Sequence, residues 1–388
     1  VPTLTLRPIL ASLALFALAA CDLPQLPTAG TTNPNEPVKV ALLVPQGSGD
    51  AQRDTLAQSL VNAANLAAGD LQGVELDIKV YATAGDQAQA ASAARMALDE
   101  GAEVILGPLF GSAATSVAPI AAGRGVQVLS FSNNTQIAGG NLYVLGSTFE
   151  NTARRIVGYA RAQGVGELGI VHPEGIEGEL ARDAVRTAAS GAGATVVATG
   201  SYPLSVQGIT QNIPEVARQL RASGANGVIL TDGPTTGLTF VAETLRGLGV
   251  RDEQVRFMGL QRWDTSDQAL AQPGLQGGWF AAPDPVVSAQ FDSRYSANFG
   301  TAPHPLASLA YDGVAAIGAM VAEARAEGSR DVFSAARLTQ SSGFAGVTGI
   351  FRLFPDGRNE RGLAVFEVVD GTPDMVDPAP RAFGAGGS

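Results

Sequence analysis

Glu103-Val104-Ile105-Leu106-Gly107-Pro108-Leu109-Phe110-Gly111-Ser112 decides how this chain is read. A short apolar run stops at a Gly-Pro turn. A helical pattern, Ala113–Gly123, opens directly after Gly111-Ser112, and a second apolar run, Val126–Leu129, follows it. Runs this short and nearly continuous suit strands covered on both faces, as in a parallel sheet. The same alternation extends in both directions. Strands are expected at Val38–Val44, Val74–Tyr81, Glu103–Leu106, Val126–Leu129, Leu168–His172, Thr195–Ser201, Gly227–Thr231, Val255–Met258 and Gly277–Ala281. Helices are expected at Gln52–Ala68, Gln87–Glu100, Ala113–Gly123, Phe149–Gln163, Gly178–Ala189, Ile209–Ala222 and Thr236–Gly247. Gly69, Gly101, Gly164 and Gly224 stand where helix C-caps belong, and Ser147 with Glu150 fits a capping box. Repeated strand–helix–strand units imply a doubly wound α/β fold.

The rhythm changes after Ala282. Two helical stretches, Val287–Asn298 and Leu306–Glu327, precede Val347–Phe354, the turn Pro355-Asp356-Gly357, and Leu363–Val369. The last piece reads as a β-hairpin that returns to complete a sheet already formed.

The folded body, about 38 to 370, is long enough for two domains. Formal net charge is −11, and Lys39 and Lys79 are the only lysines. No basic patch or aromatic-basic stripe is present, which argues against nucleic acid.

Residues 1–20 have the form of a signal peptide: Arg7 supplies a positive start and Ile9–Ala20 an apolar core too short to span a bilayer. Leu18-Ala19-Ala20-Cys21 resembles a lipobox, which implies acylation of Cys21. It is the only cysteine, so no internal disulfide can form. Acyl chains, at about 0.8 kcal/mol per buried methylene, would make a membrane anchor. Asp22 favours retention at the inner membrane. Residues 21–37 then read as a flexible tether rich in Pro, Thr, Asn and Gly, and 372–388 as a flexible tail. The expected location is the periplasmic side of a bacterial membrane.

Catalytic constellations are missing. One cysteine and two histidines, His172 and His304, cannot build a usual zinc site. There is no G-x-S-x-G elbow and no Walker A loop. Gly164-Val165-Gly166-Glu167-Leu168-Gly169 matches G-x-G-x-x-G, but it follows a helix and precedes a strand, the reverse of a dinucleotide loop. No enzyme activity, metal or cofactor is therefore expected.

Open α/β sheets bind ligands beyond the carboxyl ends of their strands. Those ends supply Ser48, Gly111, Ser112, Ser130, Ser132, Asn133 and Asn134 in the first half. The second half supplies His172, Glu174, Asp232, Gln261, Arg262 and Trp263. Ser48, Gly111, Ser112, Ser130, Ser132, Asn133, Asn134, Asp232 and Gln261 are the candidate lining of a cleft for a small polar ligand.

Ile105–Ser112, Ala118-Pro119-Ile120-Ala121, Val126–Ser130, Phe257-Met258-Gly259, Gly346–Phe351 and Asp356-Gly357 resemble the type I periplasmic binding proteins, notably the leucine/isoleucine/valine-binding branch. The resemblance implies two lobes joined by three crossovers, near Ser147–Glu150, Ala282–Pro285 and Gln340–Phe344. One lobe would hold 38–147 and 284–341, the other 148–283 and 342–371. Amino-acid binders of this kind commonly carry an acid where Gln261 stands, and a neutral amide forfeits the charge-assisted bond to an ammonium. The aromatic expected after the His172 strand is also replaced, near Ile176. Val38–Pro45, Asn141–Gly146 and Phe354–Arg358 further resemble the binding-protein-like domain of penicillin-binding protein activators, which are lipoproteins. That implies non-catalytic regulation of a peptidoglycan synthase. The alternative is a substrate-binding lipoprotein partnered with an ABC permease, for amino acids or related polar solutes.

Overall fold

A computed structural model describes residues 32–251 and 255–383. The leader, Cys21, the tether up to residue 31 and the tail beyond 383 lie outside the described residues.

The first lobe is built on five parallel strands in the order β2-β1-β3-β4-β5. These are β1 (Val38–Val44), β2 (Leu76–Ala82), β3 (Val104–Leu106), β4 (Gln127–Ser130) and β5 (Leu142–Val144). Helices α1 (Ala51–Asp70), α2 (Gln87–Asp99) and α3 (Gly111–Ala122) connect them. Asp50 starts α1 by accepting the Gln52 N–H, and Asp86 starts α2 by accepting the Gln89 N–H, at 2.9 and 2.8 Å. Ala90, Ala93, Ala94 and Ala97 form the buried stripe of α2, small enough to bring its backbone close to the strands.

The chain then enters the second lobe through α4 (Phe149–Ala162). β6 (Glu167–Pro173), α5 (Ile176–Ala192), β7 (Thr195–Tyr202), α6 (Val206–Ser223), β8 (Gly227–Leu230), α7 (Leu238–Gly247), β9 (Arg256–Gly259), α8 (Asp267–Leu270) and β10 (Trp279–Ala282) follow. It returns to the first lobe with α9 (Pro285–Phe299), α10 (Ala307–Glu327) and α11 (Ala335–Leu338). β11 (Phe344–Gly346), β12 (Gly349–Leu353) and β13 (Asn359–Arg361) make a small antiparallel sheet. β14 (Ala364–Val369) and β15 (Thr372–Asp377) extend the second sheet, whose order is β15-β14-β10-β9-β8-β6-β7. β14 and β15 are its antiparallel members. Each main sheet is covered on both faces by apolar cores, which explains the unbroken apolar strands.

Several expectations need correction. β5 was not expected, because three residues are too short to show a period. Pro355-Asp356-Gly357 does turn the chain, but β12 pairs with β13 and not with Leu363–Val369. Phe344, Phe351 and Leu353 are buried with Val38 and Tyr143 in the first-lobe core, so the small sheet belongs to that lobe. The third crossover therefore falls at Gly362-Leu363, after β13, rather than at Gln340–Phe344. The supposed tail begins as β15. Residues 32–37 of the supposed tether are docked: Thr32 is buried and donates its N–H to Arg330 O, and Arg325 Nε donates to Pro34 O at 2.8 Å. Gly69 lies within α1. Thr148, not Ser147, caps α4, accepting the Asn151 N–H at 3.3 Å. Glu150 instead accepts from the Thr135 hydroxyl at 2.8 Å.

Candidate functional site

Both main sheets reverse their strand order, between β1 and β3 in one lobe and between β6 and β8 in the other. A crevice opens at the carboxyl ends of the strands at such a point. A cavity of about 910 Å³ lies between the lobes, in the range of small-molecule sites; it reaches the reversal of the first sheet through the segment after β3, but in the second lobe it lies at the ends of β9 and β10 rather than at β6 and β8.

Its first-lobe wall is apolar. Leu109 and Phe110 come from the β3–α3 loop, Phe131 follows β4, Leu56 comes from α1 and Phe291 from α9. The segment 302–309 closes one side, held by His304 N–H donating to Ser59 Oγ at 2.8 Å. The second lobe contributes Arg262 and Thr265 from the loop after β9, and Ala281, Ala282 and Pro283 at the end of β10. The floor runs along the crossovers: Gly146, Ser147, Thr152, Thr348, Arg361 and Leu363.

The structure scatters the sequence candidates. Ser132 and Asn133 line the cavity. Ser130 is fully buried behind them, donating to Pro108 O at 2.7 Å and accepting the Ser132 N–H at 3.2 Å, so it shapes the turn. Asn134 accepts the Gln136 N–H at 2.9 Å and caps a short helical turn. Gly111 and Ser112 form the first turn of α3, outside the cavity lining. Ser48 sits in the β1–α1 loop, its N–H 3.3 Å from Asp54 Oδ1, also outside the lining. Asp232 is buried and serves its own loop: it accepts from Tyr202 OH at 2.8 Å, from the N–H groups of Gly233 and Gly237 at 3.0 and 2.8 Å, and from the Thr236 hydroxyl. Gln261 donates to Thr231 O at 3.1 Å and does not line the cavity.

Two charged residues, Arg262 and Asp292, stand at the exposed mouth. Arg262 is paired within its own loop to Asp264, at 2.7 and 3.0 Å. Asp292, at the middle of α9, lines the cavity with no hydrogen bond or ion pair among the described residues. Burial raises its carboxyl pKa, against the pull of Arg262. Burial lowers the pKa of His304, whose Nδ1 accepts the Leu306 N–H at 3.1 Å.

The floor holds a network absent from the sequence expectations. Arg361 Nη1 donates to Asp312 Oδ2 at 2.8 Å and to Thr348 Oγ1 at 2.9 Å, while Nε and Nη2 both donate to Leu145 O, at 3.0 and 2.6 Å. Asp312 also accepts the Val347 N–H at 2.8 Å and the Thr348 hydroxyl at 2.9 Å. Asn359 donates to Val144 O and Gly146 O, at 2.7 and 2.9 Å, from the opposite crossover. One signal was available: Asp312 is the lone acid between Leu306 and Val321, deep in an apolar helical run. Arg361 gave none, lying among the charged residues that follow an exposed turn.

Among the described residues no group of His, Cys, Asp and Glu could hold a metal ion, and no helix is long and apolar enough to cross a membrane.

A sequence profile of a family described as periplasmic binding protein matches residues 37–373. Comparison with curated protein sequences finds no match. Among solved structures, the chain resembles a putative branched-chain amino acid ABC transporter from Rhodospirillum rubrum, with 19% identity, 88% of this chain and 100% of that chain covered, and a TM-score of 0.74. It also resembles an ABC transporter substrate-binding protein from Desulfitobacterium hafniense in complex with Leu (17%, 88% and 100%, 0.62). A third is a solute-binding protein of an ABC transporter from Rhodopseudomonas palustris in complex with 3,4-dihydroxybenzoic acid (16%, 88% and 96%, 0.57). At these identities the likeness is one of fold.

Proposed function

We propose that this chain, which belongs to the periplasmic binding protein family, is a solute receptor that captures a small amphipathic molecule between its lobes for a membrane importer. The observation that carries this reading is the cavity itself: about 910 Å³, apolar on its walls and polar along its floor, set between the lobes at the carboxyl ends of β3, β4, β5, β9 and β10. A protein that acts only through its outer surface has no need of such a space. The three structural relatives are named for ABC transporters, two of them as substrate- or solute-binding proteins, which supports the same reading. Regulation of a peptidoglycan synthase, which the sequence favours, has no comparable support from them.

The walls suit an apolar or aromatic body, and the mouth, with Arg262 and Asp292, suits a charged end. A free α-amino acid is not required by this lining, since Gln261 is turned onto Thr231 O and supplies no charge. The family places the receptor in the periplasm, and acylation of Cys21 would hold it at the membrane. Thermal melting with a panel of amino acids, aromatic acids and polar metabolites tests the proposal. A true ligand at 100 times its dissociation constant stabilises the fold by about 2.7 kcal/mol. A flat response across the panel, together with capture of a penicillin-binding protein from the host envelope, would return the synthase reading to first place.

A further inference from the structure

Resting on the receptor reading, the geometry points to Arg361 as the residue on which ligand and hinge meet. Its side chain is nine-tenths buried, lines the cavity floor and lies one residue before the third crossover, Gly362-Leu363. Arginine carries five N–H donors. Four are spent in the protein: Nε and one Nη2 hydrogen on Leu145 O in the first crossover, and the two Nη1 hydrogens on Asp312 and Thr348. The second Nη2 hydrogen has no protein acceptor among the described residues. A buried donor without a partner is costly, and in a ligand cavity the natural partner is the ligand.

The charge of Arg361 is already balanced by Asp312, whose side chain is fully buried. A ligand carboxylate at the floor would place a second anion beside a guanidinium that Asp312 already balances, and like charges sharing one partner are unfavourable. The spare N–H is therefore suited to a neutral oxygen, a hydroxyl or carbonyl, with any ligand charge held out at the mouth. The hydroxyls of Ser147, Thr152 and Ser308, which also line the cavity and have no hydrogen bond among the described residues, match that chemistry. Occupying the spare donor orients the guanidinium that clasps Leu145, so ligand contact and the setting of the first crossover are linked through one group.

The test compares the full chain with Arg361→Lys, which keeps a cation against Asp312 but loses the fork. A melting temperature within a few degrees of wild type confirms that the variant folds. The probes are 3,4-dihydroxybenzoate, benzoate and leucine, read by calorimetry. The expected result is tighter binding of the hydroxylated acid than of benzoate, with at least a tenfold loss of affinity and loss of that preference in Arg361→Lys. Unchanged affinity and preference in the variant overturn the inference. Hydrogen exchange on the unliganded proteins supplies a reading independent of the probes. The Leu145, Gly146 and Val347 amides should exchange at least tenfold faster in Arg361→Lys. If no probe binds, these solutes are excluded as ligands of the receptor, and unchanged exchange then overturns the Arg361 inference separately.

Discussion

Arg361 Nη1 sits 2.8 Å from Asp312 Oδ2, an ion pair whose side chains are 6% and 0% exposed, at the seam where the first lobe hands the chain to the second. Removing one partner of such a pair leaves a dry uncompensated charge, which costs about 3–5 kcal/mol. Asp312→Ala also strips the Val347 N–H and the Thr348 hydroxyl of their acceptor. Urea unfolding should show a loss of at least that size. A change below 1 kcal/mol would mean the pair is solvated in solution.

Gly346 packs directly on the same carboxylate. A Cβ there would fall inside contact distance of Asp312 Oδ1. Gly346→Ala should destabilise by about 1–3 kcal/mol, the cost of overpacking, and should do so far less when combined with Asp312→Ala. Additive losses in the double variant would contradict this coupling.

Asp232 illustrates a residue whose type suggested ligand binding and whose partners assign it to structure. Asp232→Ala orphans the Tyr202 hydroxyl, the Gly233 and Gly237 N–H groups and the Thr236 hydroxyl, at about 1–3 kcal/mol for each donor that stays dry. The melting temperature should fall while affinity for any ligand found stays within about threefold. A selective loss of affinity in a protein of unchanged stability would put Asp232 back in the site.

His304 makes stability pH-dependent. Burial holds its pKa below the ordinary 6.5, and its Nδ1 accepts the Leu306 N–H, so the folded protein favours the neutral ring. The unfolded chain takes up the proton first as pH falls. The His304 contribution is thus complete above pH 6.5 and is lost as pH drops from 6.5 through the lowered folded value. Melting curves between pH 7.5 and 5 should show a decline that His304→Gln reduces. An identical pH profile in the variant would exclude this role.

Local pattern carried most of the fold. Unbroken apolar strands such as Val38–Val44 and Gly227–Leu230 announce a parallel sheet because both their faces are buried, and that is a property of each strand alone. Pairing across distance was hidden. Val347–Phe354 and Leu363–Val369 look like partners because they are neighbours in sequence, yet Phe351 and Leu353 are needed in the first-lobe core and β14 in the second sheet. The site was less legible for the same reason. Ser132 and Asn133 lie at a strand end, where that rule points, and line the cavity. Phe110, Phe291 and Leu309 look like core residues in sequence, and only the meeting of the lobes makes them walls. Arg361 needs Asp312, 49 residues away, to have any meaning.

A receptor of this build takes one small molecule between its lobes. Calorimetric titration of the best hit from the solute panel into the wild-type chain and into Ser308→Trp, which puts an indole into the cavity from the side that 302–309 closes, tests this most directly. The expected result is saturable binding of one molecule per chain, abolished in Ser308→Trp although that protein melts normally. Absence of saturable binding by any solute, or binding untouched by the indole at position 308, would contradict this.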